Sequence, residues 1–384
     1  MTLLALLPVA PELGMLAAIL AWRAVYYAAP ALIGAALAVR GPRGITPQRA
    51  DLASPAFLQR SHRAEVLIHA QGEHRALPMG AGGGWLTARS AHLLIGLFDP
   101  VGAATQLQIS QFLQGLATAA QARNRIAVLY KCAARTAATA RSLGFAEQPI
   151  AREAWLDPRR FRLAAAARSG LRRKLRHAQS AGVSVSGPSD PGPLPFAEMD
   201  RIAAHWAGAH GGERGFSMGR YARDYVAGQR VYLARRNGRL VGFVTFHAGV
   251  SEWVLDLMRH GADLPDGSMH LMIIHAIEDA TRLDMPRLSL AAVPETALKG
   301  TRLRWLSRLS GIDGTGLARF KSAFAPHWQQ LYLCAPNRAA LVLAGIEISR
   351  AIATPPALPA RAIEQDHEDF EFASVHGPWQ RRGN

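Results

Sequence analysis

The chain has 384 residues, 49% of them hydrophobic and 19% charged, enough to bury the cores of two ordinary domains and too apolar for a disordered polymer. Lysine and arginine number 44 against 28 acidic residues, a formal net charge of +16, which points to nucleic acid or an anionic bilayer surface unless the whole proteome is basic. Two cysteines, Cys132 and Cys334, stand in no CxxC pattern, and no HExxH occurs among the histidines, which argues against a disulfide framework or a zinc site.

Leu3 to Val39 is almost continuously apolar, broken by Pro8, Pro11, Glu12, Arg23 and Pro30. Leu13 to Val39 is long enough for the ~20 residues a membrane span needs, provided Arg23 snorkels or meets a partner. Trp22, Tyr26 and Tyr27 have the character of an interfacial belt, and Arg40, Arg43 and Arg49 follow, so the positive-inside rule places the remainder in the cytoplasm. Residues 1–43 are therefore read as a membrane anchor, one span or a short hairpin. A signal peptide fits poorly because no basic region precedes the apolar run; a buried soluble helix is the alternative.

Beyond it the pattern changes to short strands and amphipathic helices. Glu65–Ala70, Gly84–Ala88 and Leu93–Leu97 are predicted strands, Ala103–Gln121 a helix, Arg125–Tyr130 a strand, and Ala133–Leu143 a helix stopped by Gly144. These make a first α/β unit over 60–150. Residues 151–195 hold a basic helix and then a Pro/Gly/Ser-rich connector from Ser186 to Pro195. The second unit, 196–336, opens with helical patterns at Pro195–Ala209 and Gly219–Gly228. Strands follow at Val231–Arg236 and Arg239–His247, joined by Asn237-Gly238, a strong hairpin signal. Glu252–Arg259 is a third strand, Ser268–Leu283 a long helix and Arg287–Ala291 a strand; two short helices and a strand at Trp328–Cys334 complete it. Residues 354–384, proline-rich and then of mixed charge, are expected to be disordered.

This succession resembles an N-acetyltransferase-like fold, and the first unit is a shorter version of it. The fold class is thus α/β (α+β), a tandem of N-acetyltransferase-like domains following an N-terminal membrane segment. The second unit carries Gly215-Phe216-Ser217-Met218-Gly219-Arg220-Tyr221, then Leu255-Asp256-Leu257-Met258-Arg259, Pro265-Asp266-Gly267-Ser268-Met269, and Arg319-Phe320-Lys321-Ser322-Ala323-Phe324 with Pro326, Trp328 and Tyr332. In this order and spacing they resemble the C-terminal synthase domain of the phosphatidylglycerol lysyltransferase family. Phe98-Asp99-Pro100-Val101-Gly102, Leu143-Gly144-Phe145 and Ala21-Trp22-Arg23-Ala24-Val25-Tyr26-Tyr27 agree with it. Family members usually carry a large multi-helix flippase domain, of which only the last segment is recognisable here.

The resemblance implies transfer of an aminoacyl group, lysyl first, from aminoacyl-tRNA to phosphatidylglycerol at the cytoplasmic face of the inner membrane. A separate flippase would then be the partner that moves the product. A different lipid or cell-wall precursor as acceptor, or a non-catalytic module binding tRNA or anionic lipid, are the rival readings. No cofactor or metal is called for, since an aminoacyl ester is already activated. The stretch Arg259 to Gly267, where an acetyltransferase holds the diphosphate of acetyl-CoA, has one early glycine and two acids, Asp263 and Asp266, which disfavour that donor.

The candidate catalytic residues are Asp256, for the donor's ammonium group or a proton relay, Arg259 for a phosphate, and Lys321 for a phosphate or an oxyanion. Asp256 and Arg259 are three apart on one strand and point opposite ways unless it bulges or splays; a structural ion pair is the alternative. Arg220 and Phe216 belong to the substrate-binding candidates, with Glu213 and Glu252 offered to the side-chain amine of a lysyl donor. Arg168, Arg172, Arg173, Lys174 and Arg176 crowd one predicted helix with no acid interspersed, and are the candidate tRNA or phosphate contacts.

Overall fold

The computed structural model describes residues 12–29, 32, 53–80, 82–190, 192–295 and 314–358. Its strands are β1 (Arg75–Met79), β2 (Gly83–Arg89), β3 (Leu93–Val101), β4 (Ile126–Ala133), β5 (Ala146–Leu156), β6 (Val183–Ser186), β7 (Arg230–Arg236), β8 (Arg239–Ala248), β9 (Trp253–His260), β10 (Leu288–Pro294) and β11 (His327–Ala335). They form one unbroken sheet in the order β1-β2-β3-β4-β11-β5-β10-β9-β8-β7-β6. The helices are α1 (Glu12–Arg23), α2 (Pro55–Gln59), α3 (Gln106–Gln121), α4 (Ala134–Ser142), α5 (Ser169–Ser180), α6 (Phe196–Ala209), α7 (Arg223–Ala227), α8 (Ser268–Arg282), α9 (Gly314–Ser322) and α10 (Arg338–Ala353).

The same unit occurs twice. Antiparallel strands lead into a helix that crosses over to a parallel neighbour, β3–α3–β4 in the first half and β9–α8–β10 in the second. Local chemistry fixes the ends. Thr105 and Gln108 form a reciprocal capping box at the start of α3. Asn237 and Gly238 both have positive φ, 51° and 77°, as a two-residue hairpin turn between β7 and β8 requires. The last strand, β11, lies between β4 and β5, antiparallel to both, so the end of the second half completes the sheet of the first.

Both faces of the sheet are covered. On one, α3 and α4 pack over Trp85, Leu94 and Leu129, while α5 and α8 pack over Ala154, Val244 and Leu255. On the other, α10 lies with Phe98, Val128 and Phe216, and α6 and α7 cover Leu233, Phe243 and Leu257.

Several expectations are corrected. Residues Ala64–Gln71 form a 3-10 helix where a strand was expected. The amide of Ala64 is taken by the Glu252 carboxylate (2.8 Å), which removes it from any ladder, and the segment packs Val66 and Ile68 into the core against the sheet face. The helix expected over Gly219–Gly228 is confined to Arg223–Ala227. Gly219 stands against the Asp256 carboxylate, in contact too close for a Cβ, and this holds the chain out of the helix. Of the two short helices expected before β11, one is α9; residues 296–313 lie outside the described residues.

The membrane span is not supported. Among the described residues no helix is long and apolar enough to cross a membrane. Helix α1 has 12 residues, ~18 Å of rise against the ~30 Å of a hydrocarbon core, and Arg23 ends it where five residues of π-helix, Ala24–Ala28, begin. The remaining residues of 1–43 lie outside the described ones, as do 359–384 of the expected disordered tail.

Candidate active site

The site is built on two irregularities in adjacent strands. Between the pairs Val244↔Met258 and Phe246↔Leu255, two residues of β9, Asp256 and Leu257, oppose the single residue Thr245 of β8. This bulge is closed by the amide of Leu257 donating to the Thr245 hydroxyl at 3.1 Å. Leu255 therefore packs with α8, while Leu257 packs with α6 and α7. Asp256 and Arg259 come to the same face, as the spacing allows only with a bulge. Immediately before this point β9 and β10 part company. They pair only at Leu288↔Trp253 and Ser289↔Val254, so Asp256 is the second residue of β9 past the last pair.

Asp256 is nearly enclosed, its side chain 7% exposed. It accepts a hydrogen bond from Gln229 Nε2 at 2.9 Å and stands 3.5 Å from His247 Nε2, which is itself 3.0 Å from the Tyr225 hydroxyl. Burial lowers the His247 imidazole and raises the Tyr225 phenol well above its ordinary value, so both are neutral near pH 7. His69, Gln71 and His74 complete this buried quarter, and His74 is pushed down to about 4 by burial. Nδ1 of His69, Nε2 of Gln71, both ring nitrogens of His74 and Oε1 of Gln229 are buried with no hydrogen bond of good geometry, although the backbone of Phe216 and Ile68 stands near His74 and the Tyr225 hydroxyl near Gln71 and Gln229. Unfilled buried polar atoms are costly, and those of Gln71 and Gln229 stand at the Tyr225 hydroxyl next to the His247–Asp256 pair.

Arg259 is held differently. It bonds Glu213 at 2.9 and 3.2 Å and lies 3.8 Å over the Trp206 ring, so its charge is compensated within the fold. Glu213 also accepts from the amide of Tyr221 at 3.2 Å, tying Arg259 to the loop that ends against Asp256.

Lys321 approaches from the opposite face of the sheet, on α9. It is 2% exposed and donates to the carbonyls of Ala291 (3.1 Å) and Ala292 (3.0 Å). These carbonyls belong to a second bulge, where β10 shifts register against β5 and Ala291 takes a φ of 62°. Burial lowers its ammonium to about 7, with Lys131 adding to the effect. Asp256 and Lys321 thus flank the divergence of β9 and β10 from its two sides.

Between them runs a buried ionic network. Arg63 bonds Glu65 (2.7 Å) and Glu153 (2.8 Å); Arg287 bonds Glu252 (2.6 Å) and Glu153 (2.9 Å); Ser289 donates to Glu153 at 2.6 Å. Lys131 stands 3.9 Å from Glu65. Burial alone would raise Glu153, but Arg63 and Arg287 hold it below its ordinary range, whereas burial and the Glu153 charge raise Glu252. The network joins the 3-10 segment, β5, β9 and β10 under the site.

Glu252 is a buried member of this network, facing neither surface nor cleft. Arg220 is buried and engaged by Glu73 and by the carbonyl of Pro356 at 2.6 Å. Phe216 is a core residue with a φ of 63°, its ring 5.5 Å from Tyr130. On α5, Arg168 bonds the carbonyl of Phe324 (2.9 Å), Arg172 those of Leu163 and Ala165 (both 2.8 Å), and Lys174 pairs with Asp266 at 3.2 Å; Arg173 and Arg176 are exposed. The carbonyl of Lys174 lies against Gly267 at the start of α8 too closely for a Cβ, so the backbone of α5 covers the ground where an acetyltransferase holds a diphosphate. The sequence reading missed His247, Tyr225, Gln229, Arg63, Glu65 and Glu153. A histidine at the end of a mostly apolar strand was the available signal for His247, whereas β5 also carries Glu147, Gln148 and Arg152 and gave none for Glu153.

The sequence profile described as "Phosphatidylglycerol lysyltransferase, C-terminal" matches residues 70–335. The C-terminal domain of a putative lysylphosphatidylglycerol synthetase from Agrobacterium fabrum superposes with a TM-score of 0.70 at 22% identity, over 78% of this chain and 96% of that one. L-PGS from Bacillus licheniformis gives 0.67 at 22% identity over 80% and 98%, and FemX 0.52 at 10% over 79% and 99%. At these identities the structural likeness is one of fold. No curated protein sequence matches the chain. With the profile spanning both halves of the sheet and the divergence of β9 and β10 at its centre, the chain belongs to the phosphatidylglycerol lysyltransferase C-terminal family.

Proposed function

We propose that this chain transfers an aminoacyl group from aminoacyl-tRNA to the glycerol hydroxyl of phosphatidylglycerol, working at the cytoplasmic face of the inner membrane. Family membership makes it a transferase of the kind that carries aminoacyl groups to lipid. The observation that carries the finer reading is the splay of β9 from β10, with Asp256 on one side and the Lys321 ammonium on the other. In the reaction the acceptor hydroxyl attacks the ester carbonyl, its proton is removed, and the ribose oxygen leaves with a proton. No covalent enzyme intermediate is needed, so orientation, proton transfer and charge stabilisation suffice.

Asp256, with Gln229 fixing one oxygen, takes the donor's ammonium or the acceptor's proton. Lys321 holds the β10 bulge and lends positive potential where the oxyanion develops. Lysyl is the group that the family's description names. Glu213 and Glu252 are both engaged by arginines, so the polar quarter around His69, Gln71 and Gln229 is the part left to read the amino acid.

The deciding experiment mixes membranes bearing the protein with phosphatidylglycerol and labelled lysyl- or alanyl-tRNA, then separates the lipids by thin-layer chromatography. Label in a new, more cationic lipid that vanishes in Asp256→Ala supports the reading and names the donor. Label in a different lipid or a cell-wall precursor would reassign the acceptor. No transfer from a folded protein would leave a binding module.

A further inference from the structure

The basic residues that the sequence offers to RNA on and just before α5 are partly spent, Arg168 and Arg172 on carbonyls and Lys174 on Asp266, and α5 packs on the far face of the sheet from Asp256. Positive charge not spent on acids also gathers on the face of the sheet that carries Asp256. A cleft of about 520 Å³ opens between α6, the β7–β8 hairpin and the loop after β9, lined among others by Arg201, His205, Arg236, Arg239 and Asp263. Arg201 and Arg236 each spend one Nε–H on a backbone carbonyl, of Ala197 and Ala181, leaving the rest of each guanidinium fork directed elsewhere. Arg239 is exposed and makes no ion pair among the described residues. The acid beneath them, Glu198, is neutralised by Arg235 at 3.1 Å and by the amide of Leu240 at 3.0 Å, so only Asp263 offsets the cations.

One wall of the cleft continues into an aromatic platform. The exposed His210 ring stacks on Trp206 at 4.3 Å and 12°, with His260 edge-on at 6.2 Å, and Trp206 in turn covers Arg259. From Asp256 to Gly261 at the cleft is five residues of strand, roughly 17 Å. Cations for phosphates, followed by flat π-faces, followed by the reacting carboxylate, is the arrangement that a single-stranded nucleic acid meets when its end is the reactive group.

We propose that this cleft seats the single-stranded 3′ end of the RNA donor, its phosphates on Arg201, Arg236 and Arg239 and a base on the Trp206–His210 stack. The inference rests on the aminoacyl-tRNA reading above and adds the surface that distinguishes a nucleic-acid donor from any other activated amino acid. A planar anionic bilayer cannot enter a recess, which favours RNA over membrane here.

The test compares two donors, full aminoacyl-tRNA and a 2′(3′)-O-aminoacyl-adenosine that lacks the preceding nucleotides, in the wild type and in Arg201→Glu/Arg239→Glu. The ratio of KM for the tRNA to KM for the nucleoside should rise ~10-fold or more, and the salt dependence of log KM for the tRNA should weaken by about 2. An unchanged ratio and slope would overturn the proposal. So would intact tRNA kinetics with lost binding to phosphatidylglycerol vesicles, since the cleft would then be a membrane contact. Should the wild type transfer from neither donor, the catalytic reading fails and the cleft is judged by fluorescence anisotropy of an unacylated RNA hairpin ending in an unpaired 3′ tail. Loss of tail-dependent binding in the variant sustains the cleft, and equal binding removes it.

Discussion

Gly219 has no room for a side chain, because an added Cβ would fall within the van der Waals radius of the Asp256 carboxylate. Gly219→Ala must therefore displace either the loop or the carboxylate, and a shift of about 1 Å at a reacting group costs on the order of 100-fold in rate. The expected outcome is a fall of that size in kcat with a melting temperature close to the wild type, read by lipid transfer and circular dichroism. A variant of full activity would show that Asp256 need not stand where it does. Lys321 allows a second test. Burial lowers its ammonium from 10.5 to about 7. Between those values the unfolded chain holds a proton that the folded chain has released, so this residue's contribution to stability grows as pH rises from 7 and is least favourable below it. The urea midpoint of the wild type should accordingly gain on that of Lys321→Met between pH 7 and about 9.5; parallel profiles would mean that the lysine is solvated. At this scale the sequence was informative where chemistry is conspicuous. Asp256 and Arg259 could be named as a pair on one strand, and the bulge that puts them on one face was a stated condition. The partners Tyr225 and Gln229 come from α7 and the turn after it and His247 from β8, and no local pattern unites the two places before the sheet does.

At the scale of elements, α10 is the piece whose importance the sequence hides. It lies beyond the segment that matches the family, residues 70–335, and carries no motif. Yet its end is built into the site. The carbonyl of Ile352 accepts from the amide of Gly215 at 3.1 Å, Pro355 packs against Gly215 where a Cβ would not fit, and Arg220 donates to the Pro356 carbonyl at 2.6 Å while pairing with Glu73. The loop so clamped runs from Glu213, the partner of Arg259, to Gly219, the neighbour of Asp256. Ending the chain after Thr354 removes the carbonyl that Arg220 uses and leaves a buried guanidinium short of an acceptor, at about 1–3 kcal/mol. The truncated protein is expected to fold with a modestly lower melting temperature and to lose at least ~10-fold in kcat through looser placement of the loop. Activity equal to that of the full chain would show that Glu73 and the Ile352 carbonyl hold the loop without Pro355 and Pro356. Strands and helices with strong periodicity or turn chemistry were legible, among them α3, α6, α8 and the Asn237-Gly238 hairpin. The 3-10 segment Ala64–Gln71 was not, because its short dense apolar run, Val66-Leu67-Ile68, mimics a strand and only the distant Glu252 carboxylate, taking the amide of Ala64, shows otherwise.

For the whole molecule the decisive fact is the position of β11, which satisfies ladder bonds of both β4 and β5 although nearly two hundred residues separate it from either. A piece of chain ending before β6 would carry β4 and β5 with open edges on the strip where β11 belongs, and unpaired edges in the middle of an apolar sheet favour aggregation over folding. Beneath the same seam, Arg63 and Arg287 hold the fully buried Glu153 between the 3-10 segment of the first half and the start of β10 in the second. A buried carboxylate between two guanidiniums is weak evidence for net stabilisation, since its desolvation is expensive, and removing it leaves Arg63 to Glu65 and Arg287 to Glu252. Glu153→Gln should therefore destabilise the chain by about 1–3 kcal/mol, and both halves should respond together. Thermal unfolding followed by tryptophan fluorescence and by amide circular dichroism is expected to give one coincident transition in the wild type and one, shifted down, in the variant. Two separated transitions would mean that the halves are independent despite the shared strand, and the site at their junction would then rest on a hinge, with the β9–β10 splay free to change width as substrate enters.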